Sequence, residues 1–167
     1  KDMMTNIKLK ILHVIPSMDP NQGGLSQAII NMISGMPPYV LNEVVCLNRV
    51  TDPFLSDLTF TTHALGRGKG PWKYNQRLLP WFLVNLPYFD TVIVHGLWSY
   101  SGYALRVAID KLKNSVSGIL VPKVLVMPHG MLDPYFQEAG HRKLKAIRNY
   151  FFWRLIENKL VNKADGL

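Results

Sequence analysis

Three segments of this 167-residue sequence join an apolar run to residues able to do chemistry. Gly23-Gly24 follows the run Leu9–Ile15 through a loop of Asp, Pro and Asn and stands just before a helical pattern. A glycine pair there lets backbone approach a ligand, and the first turn of a helix offers free N–H groups to an anion. The plain alternative is a turn and a cap, and spacing does not choose between them. His95-Gly96-Leu97-Trp98-Ser99-Tyr100 follows the β-branched run Thr91–Val94. Its aromatic faces and polar tips suit a sugar ring, and ordinary core packing suits them equally. Pro128-His129-Gly130 closes the run Lys123–Met127. An imidazole there can donate to a sugar hydroxyl or a phosphate oxygen near neutral pH.

Other chemistries lack their residues. No G-x-G-x-x-G follows the first apolar run, which argues against a dinucleotide oxidoreductase, and no G-x-x-x-x-G-K-[ST] occurs. There is no G-x-S-x-G elbow for a serine hydrolase. His13, His95 and His129 have neither H-x-x-x-H nor C-x-x-C support, and Asp-x-Asp is absent, so no metal is expected. The single cysteine, Cys46, lies in Val44-Val45-Cys46-Leu47 and reads as a buried small hydrophobe.

The elements that must position these residues alternate. Strands are expected at 9–15, 43–47, 61–65, 91–95 and 123–127. Helices are expected from a Ser26 cap to Ser34, over 72–86 with a break at Pro80, over 103–113, and from Arg142 to Lys163. Gly66 to Pro71 reads as a basic, flexible loop. Apolar runs, rather than strict alternations, mark a parallel sheet buried on both faces. In such sheets the ligand sits outside the carboxyl ends of the strands, where all three segments fall. At Ala164-Asp165-Gly166-Leu167 another strand is due, so the chain is read as a piece of a longer one.

Together these segments resemble family 4 glycosyltransferases. The resemblance rests on Ile11–Pro16 followed by Gly23-Gly24, on Asp90 to Trp98, on Lys123 to Asp133, and on the run through Lys163-Ala164-Asp165. It covers most of the chain, with 50–88 least diagnostic. It implies a Rossmann-like, doubly wound parallel α/β sheet with helices on both faces, the amino-terminal half of a GT-B architecture. On that basis residues 1–167 form one acceptor-side domain, and the carboxy-terminal donor-nucleotide domain is missing. The implied activity is retaining, metal-independent sugar transfer from a nucleotide diphosphate sugar, expected to be a uridine diphosphate sugar, to a saccharide or lipid-linked acceptor in polysaccharide biosynthesis. Gly23 and Gly24 match the loop that approaches the donor diphosphate. His129 matches the histidine that contacts the transferred sugar and is the catalytic candidate. His95, Trp98 and Tyr100 fall on the acceptor side. Half a cleft is expected to be inactive alone.

The formal charge of +8 suits phosphate-bearing ligands or an anionic surface. Basic residues crowd the last expected helix, from Arg142 to Lys163, so peripheral contact with a membrane is a further possible role, from the cytoplasmic side. No aromatic-basic recognition motif points to nucleic acid. A non-catalytic nucleotide- or carbohydrate-binding module is the alternative function.

Overall fold

A computed structural model describes residues 8–115, 120–129 and 158–166. Five parallel strands form one sheet in the order β3-β2-β1-β4-β5. The strands are β1 (Leu9–Ile15), β2 (Val40–Cys46), β3 (Thr61–Ala64), β4 (Thr91–His95) and β5 (Lys123–Met127). Helices α1 (Leu25–Ser34), α2 (Leu78–Asn85) and α3 (Tyr100–Ser115) lie between them in sequence, and α4 (Asn158–Lys163) follows β5. Chain order reverses beside β1, where the path that ran outward to β3 restarts at β4. This is the Rossmann-like switch, and in such sheets ligands bind outside the carboxyl ends of the strands that flank it, here β1 and β4.

Successive side chains of a strand point to opposite faces, so β1 divides its residues cleanly. Leu12 and Val14 join Val45, Val92, Val94, Val124 and Val126 on one face, under α2 and α3. Phe82 and Leu105 are wholly buried there. Ile15 joins Val44 and Cys46 on the other face, under Ile29 of α1. Each face therefore carries a helix. Cys46 is buried as expected, and burial pushes its thiol up to about 11.

Several boundaries move. Ser26 is not a cap: Gly24 holds the N-cap position, and Ser26 is buried inside α1. Strand β2 starts three residues before the expected Glu43, which brings Asn42 into the sheet. The expected helix over 72–86 shrinks to α2, where Pro80 falls in the first turn and breaks no backbone hydrogen bond. Helix α3 begins at Tyr100, taking over residues expected in a loop. Of the expected helix from Arg142 to Lys163, only Asn158–Lys163 falls among the described residues, and it is helical. Beyond it, Gly166 bridges Leu125 in parallel fashion, where a further strand was expected to begin. No helix among the described residues is long and apolar enough to cross a membrane.

Candidate functional site

The α1 face of the sheet is not uniformly apolar. Asn42, His13, His95 and His129 form a line across it. In the parallel register Asn42 pairs with Ile11, His13 with Ile93, and His95 with Met127. Each member therefore lies two residues further toward the carboxyl edge than its predecessor, on the next strand over. Two residues preserve the face and one strand gives the lateral step, so the line climbs diagonally through β2, β1 and β4 and leaves the sheet just past β5.

The side chains touch. Nε2 of His13 is 3.0 Å from Oδ1 of Asn42, and Nδ1 of His13 is 2.9 Å from Nε2 of His95. Nδ1 of His95 is 2.9 Å from Nε2 of His129. The rings of His13 and His95 stack at 5.1 Å between centroids. His13 and His95 are buried, at 0% and 1% exposure, whereas His129 is exposed.

This chain of hydrogen bonds has a direction. Asn42 donates through Nδ2 to the carbonyl oxygen of Val40 at 3.2 Å, which turns Oδ1 toward His13. An amide oxygen only accepts, so Nε2 of His13 must carry the proton. In the neutral ring its Nδ1 is then a lone pair and accepts from Nε2–H of His95. The same reasoning makes His129 donate from Nε2 to Nδ1 of His95. The Nδ1 of His129 becomes the basic end of the line. It accepts a proton or a hydrogen bond while the ring is neutral and donates once the ring is charged. Either way the Nε2–H that holds the ring in place is unchanged.

Electrostatics keeps the line neutral. Burial drives the pKa of His95 down to about 3, and repulsion from His13 and His129 adds to the fall. Burial also lowers His13, partly opposed by its hydrogen bond to Asn42. Burial lowers His129 as well. At neutral pH the terminal imidazole is thus an uncharged group that can accept from a hydroxyl. Among the described residues, no group of three or more His, Cys, Asp or Glu is placed to hold a metal ion. The three histidines do meet, but each inner ring spends both nitrogens on its neighbours.

The loops at the carboxyl edge are strained. His129 has φ 50° and Trp98 has φ 66°, both in the left-handed region that side chains with a Cβ seldom adopt. Such residues persist only where their surroundings over-determine them. One constraint is visible: Gly96 donates its N–H to the carbonyl of Met127 at 2.9 Å, fastening the loop after β4 to the end of β5. The expected sugar contacts separate accordingly. His95 is buried below His129, with both ring nitrogens engaged by the neighbouring histidines. Tyr100 is buried at the start of α3, against Trp72, Tyr74 and Tyr103. Trp98 is half-buried on the large core cluster.

The glycine loop stands over the neighbouring strand ends. Buried Asn48 holds it by accepting from the N–H of Met18 at 2.8 Å and donating to Oγ of Ser17 at 3.2 Å. Gly23 has φ 113° and ψ 177°, a conformation essentially reserved for glycine. Gly24 differs: its φ of −72° suits any residue, and a Cβ added there would meet nothing within 4 Å. The fold explains the first glycine and leaves the second to be explained by something else.

Asn42 and His13 were not among the expected site residues. His13 is visible as a histidine inside an apolar run. Asn42 gives no such signal, because its role depends on the β1–β2 register. No protein-family model matches the sequence, and no curated protein matches it either.

Proposed function

We propose that this chain is the acceptor-side half of a retaining glycosyltransferase that uses a nucleotide diphosphate sugar. The observation that carries this proposal is the buried line from Asn42 through His13 and His95 to the exposed His129, at the carboxyl edge where parallel sheets receive their ligands. Such a line holds one neutral imidazole at a fixed angle, ready for a hydroxyl of the transferred sugar. The first turn of α1, opened by Gly24, offers N–H groups to the donor diphosphate. Breaking a sugar–phosphate bond places charge on that diphosphate, and fixed donors there lower the barrier. The acceptor, saccharide or lipid-linked, would approach from the side of Trp98. A second Rossmann-like domain closing over the edge would supply the nucleotide pocket and exclude water.

Calorimetric titration of uridine diphosphate and its sugar conjugates into this chain and into the intact gene product tests the proposal. It expects weak binding to the chain, and tight binding with release of nucleoside diphosphate by the intact product. Tight binding to this chain, with neither added affinity nor turnover in the intact product, would favour a non-catalytic binding module instead.

A further inference from the structure

A second feature of the carboxyl edge follows β3. The β2–β3 ladder continues past both strands, because Leu65 donates to the carbonyl of Cys46 at 3.0 Å and Gly66 to that of Asn48 at 2.8 Å. The chain then turns back on itself. Lys69 and Tyr74 exchange two backbone hydrogen bonds, at 2.7 and 2.9 Å, in an antiparallel bridge. Gly66 and Gly70 adopt φ of 95° and 65°, and a Cβ on Gly68 would lie 2.6 Å from the carbonyl oxygen of Lys73. Buried Asn75 clamps the base by donating to the carbonyl of Gly66 at 2.9 Å and accepting from the N–H of Arg77 at 2.8 Å. The tip is fastened to the rest of the edge, with Tyr100 donating its N–H to the carbonyl of Trp72 at 2.7 Å and Tyr74 packing edge-on to the Tyr100 ring. What reads in sequence as a flexible glycine loop is a built hairpin.

The hairpin walls a hollow of about 300 Å³ whose charged lining is four cations, Arg49, Arg67, Lys69 and Arg77, with Tyr74 beside them. Among the described residues no carboxylate lines it. Asp52 lies beside the cations and touches two of the residues that line the hollow. It accepts from the N–H of Arg49 at 3.0 Å and reaches Arg67 only at 3.9 Å. The four side chains are exposed, so solvent screens their mutual repulsion, and an anion entering the hollow meets positive charge on several sides. Three of the four are arginines, whose planar fork fits phosphate oxygens two at a time.

We infer that this hollow binds a phosphoryl or pyrophosphoryl group, distinct from any anion at Gly24, carried by a soluble phosphate ester or by a lipid headgroup. The site stands whether or not sugar is transferred. If the proposed transfer is correct, the hollow selects an acceptor that carries phosphate.

The test titrates inorganic pyrophosphate into the chain, and separately measures its binding to phosphatidylcholine vesicles with and without phosphatidic acid. The variant Arg67→Gln/Lys69→Gln is compared with a control, Lys111→Gln/Lys113→Gln, which removes equal charge from exposed positions of α3. The hairpin variant should weaken binding by about tenfold or more in at least one arm, with an unchanged melting temperature, while the control stays near wild type. Loss in the pyrophosphate arm identifies a soluble ester, and loss confined to vesicles identifies a headgroup. Equal loss in hairpin and control variants would reduce the effect to net charge and overturn the site. So would unchanged binding in both arms.

Discussion

Replacing His95 with Gln removes a titrating group and keeps the hydrogen-bond direction of the buried line. A carboxamide offers an N–H to Nδ1 of His13 and an oxygen to Nε2–H of His129, as the imidazole does. In the native chain the fold holds His95 neutral, with its pKa near about 3 against an unfolded value of 6.5. The unfolded chain therefore binds the proton first. The stability that depends on this group is complete above about pH 6.5 and drains away as pH falls toward about 3. From about pH 8 to about pH 5, the linkage integral for this one ring is about 2 kcal/mol. His13, lowered in the same direction, adds to it. Urea unfolding at these two pH values is the assay. The His95→Gln variant should lose about 2 kcal/mol less than wild type over this range. An equal loss in both proteins would mean that His95 already charges in the folded state, and the neutral line would be wrong.

Four further outcomes follow from particular contacts. Gly24→Ser should leave unfolding free energy within about 0.5 kcal/mol of wild type, since backbone and space both permit a side chain, yet weaken uridine diphosphate binding to the intact gene product. Gly23→Ala, by contrast, should cost about 1–3 kcal/mol through its φ of 113°, measured by the same unfolding. Asn42→Asp puts a carboxylate against Nε2 of His13 and favours the charged ring. Imidazole nitrogen NMR should show the His13 pKa raised, with the Nε2–H form kept along the line at high pH. Phe82→Ala empties a wholly buried site beneath α2, and thermal and urea unfolding should show a loss of about 3–5 kcal/mol.

Much of the fold was legible because apolar runs and their punctuation are local. Strands β1, β4 and β5 fall where Leu9–Ile15, Thr91–His95 and Lys123–Met127 predict them. Parallel pairing follows from those runs being buried on both faces. Misplaced boundaries have specific causes. Asn42 made the start of β2 look polar, although it bonds to His13 within the sheet. Trp72 and Trp81 made 72–86 look like one helix, although Gly70 and Lys73 bend the chain with positive φ before α2 starts.

The site was legible residue by residue but not as a device. His95 and His129 stand out at strand ends, whereas their connection depends on a two-residue diagonal set by strand order and register. For the same reason the place of His95, buried between His13 and His129, was not legible. The basic hairpin after β3 was legible only as glycines and charges, because its shape comes from Asn75 and from the return bond between Lys69 and Tyr74.

In the proposed reaction the buried line aims the His129 imidazole at the sugar being transferred. Steady-state kinetics of His129→Ala in the intact gene product, with nucleotide sugar and acceptor varied separately, tests this most directly. The account predicts that kcat falls on the order of 10²-fold while affinity for the nucleoside diphosphate is unchanged. A variant that keeps its kcat and loses only acceptor affinity would contradict it.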